Sequence, residues 1–462
     1  MNHTSFPRSL HREILLFSMI LALCMSLIIV PHAYAQGRSP SIIRDTEIEM
    51  ILKKWATPVI KGAALNPEHI NFILVQDPNI NAFVAGGPNI FLFTGLLTRS
   101  ESPAEIVGVI AHELGHIRGG HLVRLQGAMA NASYESLLGT ILGIGAAVLT
   151  GESGVAAAII AGSQSTAFNR FLAFSRVQEA SADQAALDYL EKANLNPEGL
   201  LSFMKKLEDQ ELLPASQQSQ YIRTHPLTRD RISALEAGKQ RSAFRDQGYP
   251  NEWEEEHRRL IAKLIGFITP EQVSWKYDDR DKSTAAEYAR AIASYRKNNV
   301  QEALNKMDNL LKKEPKNPFF LELKGQMLVD FGRVEQALPF YKQSIDIVPE
   351  SALIRTAYAH ALIESAHSDK SRLSSAINHL KRAVKDEPRS TRNHRLLATA
   401  YGRLDQPAMA KLHLAEEALL KGEIPYAKRQ VKAALNGLEE QSNSWLRAKD
   451  ILNFIEQNTE NN

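Results

Sequence analysis

Cysteine is nearly absent. The one cysteine, Cys24, lies inside an apolar run close to the N-terminus. The chain therefore uses no disulfides, even in a compartment that would permit them. Leu23 precedes this cysteine where a lipoprotein box needs a small residue, so lipid attachment there is not expected. An excess of charge of one sign is missing too. Lys plus Arg number 54 against 52 Asp plus Glu, a net charge of +2. That balance argues against nucleic acid as a partner, because such a binder needs a basic surface. Long apolar runs are scarce beyond residue 30. Between 137 and 162, "LLGTILGIGAAVLTGESGVAAAIIAG" is interrupted by "GESG", and its longest unbroken part is 14 residues. That is short for a bilayer span.

The N-terminus carries the longest apolar run. Arg8, His11 and Arg12 precede "ILLFSMILALCMSLIIV" (14–30), followed by Pro31 and "AYA" (33–35). A basic start, an apolar centre and a small-x-small box predict a signal peptide over 1–35. The alternative is a retained membrane anchor. The rest of the 462 residues is enough for two or three domains.

Residues 36–268 read as a mixed α/β unit. "HINFILVQ" (69–76), "INAFVAG" (80–86) and "NIFLFTG" (89–95) are short runs rich in Ile, Val and Phe, separated by "DPN" and "GGP". They predict a small antiparallel meander. A helix over 103–118 should follow, with Ser102 as cap, Pro103 at its first position and Glu105 completing a capping box. A second helix is expected over 175–192, where Gly and Pro are absent and alanine is abundant. For 137–162 two readings stand: a helical hairpin or lid over a cleft, or a segment in peripheral contact with a membrane surface.

A polar stretch, 269–282, reads as a linker. Beyond it, over 283–457, Ala303, Ala337 and Ala376 recur in register with Met307, Tyr341 and Leu380, and with Pro315, Pro349 and Pro388. The first interval is 34 residues (337 − 303) and the second 39 (376 − 337), the difference matching an insertion near "HSDKS" (367–371). A 34-residue period with small, bulky and proline positions is the tetratricopeptide signature. A fourth copy carries Ala398, Tyr401 and Ala410, and a partial copy with a capping helix follows to about 457. Each helix pair needs its neighbours to bury its apolar face, and the stack leaves a groove suited to peptides or partner segments.

The chemistry centres on "AHELGH" (111–116). At about 100° per residue, His116 lies about 40° round the helix from His112, with Glu113 beside them. Val107, Ile110, Leu114 and Ile117 point the other way, toward a core. Two imidazoles able to grip one ion, with a carboxylate at its edge, form the H-E-x-x-H arrangement of zinc peptidases. Zinc needs a third protein ligand and an open position. His121 is one residue too early for the longer three-histidine pattern and about 140° from His116 on a continuing helix, so it is not expected to ligate. In "EASAD" (179–183), Glu179 and Asp183 share a helix face. One can bind the metal while the other orients a ligand histidine. Two solvated acids on an amphipathic helix are the plain alternative.

These residues resemble the zinc peptidase family that includes the CAAX prenyl protease and the heat-shock membrane protease HtpX. There, an H-E-x-x-H helix is followed by a helix carrying E-x-x-x-D. "TGLL" (94–97) and "THPLTRDRI" (224–232) are similar as well. The resemblance implies a zincin-type (gluzincin) fold, α+β but mainly helical, with a small antiparallel sheet and then an α-solenoid of repeats. It implies that His112, His116 and Glu179 bind one Zn²⁺, that Glu113 is the general base, and that Asp183 supports a ligand from behind. His225 could donate to the oxyanion, or occupy the metal's open position and keep the enzyme latent. It could also be a helix-start histidine packed by Pro226. With a leader and a repeat array, the implied protein is a periplasmic endopeptidase associated with the outer membrane. It would act on extended or misfolded chains that add at 81–87, and the repeats would recruit substrate or the outer-membrane protein assembly machinery. Two rival readings are a repeat-based chaperone or adaptor with an inactive zinc site, and an integral membrane protease.

Overall fold

The computed structural model describes residues 41–121, 176–211, 213–214 and 217–460. The expected leader at 1–35 and the lid or membrane-contacting segment at 137–162 lie outside these residues. No helix among the described residues is long and apolar enough to cross a membrane.

The N-terminal half runs β1 (Ser41–Ile43), α1 (Thr46–Gly62), β2 (Asn71–Gln76), β3 (Ala82–Ala85), β4 (Asn89–Phe93), α2 (Thr94–Arg99) and α3 (Pro103–Gly119). It continues with α4 (Arg176–Lys192), α5 (Glu198–Glu211), α6 (Gln220–Thr224), α7 (Arg229–Arg241), α8 (Asn251–Ile268) and α9 (Val273–Lys276). The predicted meander is corrected. The sheet order is β1-β2-β4-β3, with β2 parallel to β4 and the two outer pairings antiparallel. The reason lies in residues 77–81. Thr94 Oγ1 donates to the Asp77 carbonyl at 2.9 Å and accepts from the Asp77 amide at 3.1 Å. This clasp carries the chain past the end of β4, so β3 returns on the far side as an edge strand.

Helix α3 forms where predicted, with Pro103 in its first turn. The capping box is not made. Ser102 has cap geometry but no side-chain bond, and Glu105 Oε2 instead accepts from the Glu101 amide at 2.9 Å. Lys206 holds that same oxygen at 2.8 Å. A charge-assisted bond is roughly twice as strong as a neutral one. Helix α3 is buried on nearly every face because the sheet and α1 cover one side while α4 and α5 cover the other.

The α3–α4 crossing depends on small residues. A Cβ placed on Gly115 would lie 2.8 Å from the Ala182 carbonyl oxygen and 2.9 Å from its Cα. Backbone cannot yield as a flexible side chain does, so Gly115→Ala should push the helices apart at about 1–3 kcal/mol. Because Glu179 rides on α4, retained zinc should fall with stability. Denaturation midpoint and metal content after dialysis, measured together, check this; no change in either would mean that α4 has room to shift.

The C-terminal half is a stack of helices: α10 (Thr284–Arg296), α11 (Val300–Lys313), α12 (Pro318–Asp330), α13 (Val334–Ile347), α14 (Ala352–Ser365) and α15 (Lys370–Asp386). Then come α16 (Thr391–Arg403), α17 (Pro407–Leu420), α18 (Ile424–Leu435) and α19 (Asn443–Glu460). The recurring Ala303, Ala337 and Ala376 are buried in one apolar cluster, as are Met307, Tyr341 and Leu380. Much of the insertion is absorbed by α15, which has 17 residues against 14 in α11 and α13.

The two halves share core. Val273, Ala285, Ala289 and Ala293 pack into the same apolar cluster as Trp55 and Leu52. Across this junction lies a buried charge network. Glu47 Oε1 accepts from Arg259 Nε at 2.8 Å, and its Oε2 accepts from the Tyr288 hydroxyl at 3.0 Å. Lys263 Nζ lies 3.1 Å from Glu47 Oε2 and 2.7 Å from Asp45 Oδ2. A second contact joins Arg44 to Glu387 at 2.6 Å, near the Thr46–Ser351 hydroxyl pair at 2.9 Å.

Candidate metal centre

Helix α3 presents His112 and His116 on one face, and their Nε2 atoms lie 3.0 Å apart. Glu179, one turn into α4, faces both. Its Oε2 is 3.3 Å from His112 Nε2, and its Oε1 is 3.4 Å from His116 Nε2. Asp183, one turn further along α4, meets the back of the first ring, with His112 Nδ1 2.9 Å from Asp183 Oδ1. A carboxylate there fixes the ring proton on Nδ1. The His112 Nε2 lone pair then points at the other Nε2 and at a carboxylate. Such a convergence of acceptors is repulsive unless a cation, either a proton on one of the rings or a metal ion, sits among them. All of these groups are buried.

Glu113 is buried beside the cluster, and neither of its carboxylate oxygens has a hydrogen-bond partner among the described residues. An orphaned buried carboxylate is costly unless something in the functional state uses it. Nitrogen and oxygen donors in this number suit zinc with one position left open. The residues present therefore fit a bound Zn²⁺.

His225 closes the site from the other side. It lies at the C-terminal end of α6 rather than at a helix start. Its Nδ1 is 3.1 Å from Glu179 Oε1, and its Nε2 is 3.2 Å from the Ala82 carbonyl and 3.6 Å from Glu113 Oε1. It joins His112, His116 and Glu179 in one group whose ligand atoms lie within 4.8 Å of one another. Tyr221 stacks on His225 at 4.7 Å between ring centroids, and its buried hydroxyl has no hydrogen-bond partner among the described residues.

Three residues in this centre carry more than sequence reasoning gave them. Arg231 Nε lies 2.7 Å from Asp183 Oδ2, and its Nη1 lies 2.9 Å from Glu179 Oε2. One guanidinium thus holds both acids of α4 in place. It lies within the "THPLTRDRI" stretch, but nothing in its spacing tied it to Glu179 and Asp183. The second is His121. The helix does not continue past Gly119, because Gly120 turns left-handed at φ 61°. His121 folds back and sets its Nδ1 2.9 Å from His116 Nδ1. Its ring fills the space above Gly119, where an added Cβ would lie 2.5 Å from His121 Nε2. His121 is thus outside the ligand group but positioned behind His116, as Asp183 is behind His112. The paired glycines in "IRGGH" were the available signal. The third is Tyr221, four residues before His225, for which the sequence held no signal.

Electrostatics separate the two histidines of α3. Burial works against a charged His112, but Asp183 and Glu179 outweigh it and push its pKa up to about 10. Burial dominates at His116 and, only partly opposed by Glu179, pulls it down to about 3. Burial also raises the Glu113 carboxyl above its usual range, partly opposed by His225 and His112. Glu179 is desolvated too, yet His225 and its hydrogen bonds to the other two rings hold it well below that range.

Residues 43–239 match Peptidase family M48, and residues 288–352 match a tetratricopeptide repeat. A beta-barrel assembly-enhancing protease of Yersinia pestis is 26% identical over 314 residues, covering 65% of this chain and 61% of that protein. A putative beta-barrel assembly-enhancing protease of Vibrio cholerae is 26% identical over 400 residues, 83% of this chain and 77% of that one. The beta-barrel assembly-enhancing protease of Escherichia coli K12 is 24% identical over 323 residues, 68% of this chain and 64% of that one. The chain thus matches less than two thirds of the length of the Yersinia and Escherichia relatives.

Proposed function

We propose that this chain, which carries a peptidase domain of family M48 followed by C-terminal tetratricopeptide repeats, is a zinc-dependent endopeptidase of the bacterial periplasm. Its substrates are extended, misfolded or stalled outer-membrane proteins. The observation that carries the reading is the convergence of His112, His116 and Glu179 around one point, with the Glu113 carboxylate, which has no hydrogen-bond partner among the described residues, beside it.

His112, His116 and Glu179 would hold the ion. When bound, zinc supplies Lewis acidity, lowering the pKa of water and polarising a peptide carbonyl. Glu113 accepts the proton of the attacking water and hands it to the leaving amine nitrogen. Its burial raises its basicity toward the range useful at neutral pH. Asp183 and His121 orient the two imidazoles, and Arg231 keeps Glu179 and Asp183 aligned from behind. Substrate adds as a strand along β3, the edge strand next to the site, where main-chain bonds make little demand on sequence. The names of the relatives support outer-membrane proteins as substrates and their assembly machinery as the partner of the repeat groove.

Two outcomes check this part directly. Chelation should abolish casein cleavage, and added zinc should restore it; cleavage that survives complete metal removal excludes the mechanism. For His225 the position against Ala82 and Glu113 leaves two active roles. With His225→Ala, lower turnover supports donation to the oxyanion, and raised basal proteolysis supports latency. Unchanged kinetics would make the residue structural.

A further inference from the structure

The repeats contain a second convergence of metal-ligating atoms that the peptidase chemistry does not use. His394 on α16, with His413 and Glu416 on α17, are buried and close enough to hold one ion. His394 Nδ1 lies 2.8 Å and His413 Nδ1 2.7 Å from the same oxygen, Glu416 Oε2. The two Nδ1 atoms are 3.3 Å apart. His413 and Glu416 are one turn apart on a helix, so they share a face, and His394 meets them from the preceding helix.

The proton count singles out this triangle. The other nitrogen of His394, Nε2, faces the Pro388 carbonyl at 3.4 Å. A neutral imidazole donates from one nitrogen only. If Nε2 carries the proton, the Nδ1 lone pair points at a carboxylate oxygen and at a second ring. A metal-ligating histidine ordinarily gives its remaining N–H to a backbone carbonyl or carboxylate, which is the role Pro388 offers. His413 Nε2 is buried with no hydrogen-bond partner among the described residues, so only His394 has the backbone acceptor that a ligating ring ordinarily uses, and the case for His413 rests on its Nδ1 and on its position. The rings are also held in place. Tyr401 stacks on His413 with centroids 5.5 Å apart and planes 11° apart, and Arg447 pairs with the outer oxygen of Glu416. That pairing keeps Oε2 turned inward.

We propose that His394, His413 and Glu416 form a second divalent-metal site of the zinc class, which joins α16 to α17 within the repeat array. Two nitrogens and one oxygen, all buried, are a donor set that zinc accepts. The site would make the C-terminal repeats more rigid when loaded, independently of peptidase chemistry.

Metal analysis of the purified full chain, equilibrated with Zn²⁺ and then dialysed, tests this. The wild-type chain should hold two equivalents. His413→Asn and Glu416→Gln should each hold one, and His116→Ala, which removes only a peptidase ligand, should also hold one. Far-ultraviolet circular dichroism of each variant establishes that the helices are intact. Added Zn²⁺ should raise the melting temperature of His116→Ala but not of His116→Ala combined with His413→Asn. If the wild type holds one equivalent and His116→Ala none, the repeat site binds no zinc, the triangle is held by a proton on His394, and the proposal is overturned. If the wild type and His116→Ala both hold one, the repeat site stands and the peptidase centre is the one that fails.

Discussion

Glu113→Gln should keep bound zinc and lose turnover by about 100- to 10,000-fold, the usual contribution of a positioned general base. The substitution is nearly isosteric, and Glu113 lies outside the ligand group, so metal affinity should hold. Glutamine cannot take a proton from water, so the first step loses its acceptor. The wild-type carboxylate is buried without a hydrogen-bond partner among the described residues. A neutral amide there removes a buried charge, and the variant should therefore be no less stable than the wild type. Casein cleavage, zinc content and melting temperature on the pair make the check. Retained zinc with unchanged cleavage would remove Glu113 from the mechanism. Retained zinc with no cleavage by either form would favour the reading of the chain as a chaperone or adaptor.

Lys263→Met should weaken the junction between the peptidase domain and the repeats by about 3–5 kcal/mol, the cost of stranding a buried charge. Lys263 is buried between Asp45 and Glu47, and Glu47 is also held by Arg259 and the Tyr288 hydroxyl. Burial pushes the Glu47 carboxyl upward, but Lys263 and Arg259 outweigh it and hold it below the usual value of 4.5. A depressed folded value means that Glu47 contributes stability above about pH 4.5 and loses it as pH falls through the lower folded value. Without Lys263 the carboxyl moves up and protonates earlier. The gap between wild type and variant should therefore be widest above pH 5 and should narrow as the solution is acidified through the ordinary carboxylate range. Denaturant midpoints at pH 7 and pH 4 measure it. A gap that stays constant, or one below 1 kcal/mol at pH 7, would show the network to be hydrated. Because Tyr288 lies on α10, the first helix of the C-terminal half, loss of the network should also loosen how the array is carried on the N-terminal half.

Periodicity carried much of the architecture. The 34-residue recurrence around Ala303 and Ala337 reports a helix pair per repeat, because each small residue must fit where two helices touch. The i, i+4 spacing alone sets His112 with His116, and Glu179 with Asp183, on common faces. Pairing in the sheet was not legible. The short apolar runs along 71–93 say that strands form there, not which strand neighbours which, and the clasp of Thr94 on Asp77 sends β3 to the edge. The Ser102 capping box failed for a similar reason, since Lys206, about a hundred positions away, competes for Glu105. Around the metal, the supporting groups were hardest to see. Arg231 acts through a distance in sequence that no motif encodes, and His121 reaches His116 only because the helix stops at Gly119. The buried junction at Lys263 was hidden as well, since isolated charges in a sequence look solvated until their partners are brought together.

The most direct test is a crystal of the full chain grown with zinc and measured on both sides of the zinc absorption edge. An anomalous peak should appear among His112 Nε2, His116 Nε2 and the Glu179 carboxylate, at about 2.0–2.2 Å from each. An empty position between the two rings, or a Glu179 side chain turned away from a metal bound there, would contradict the assignment.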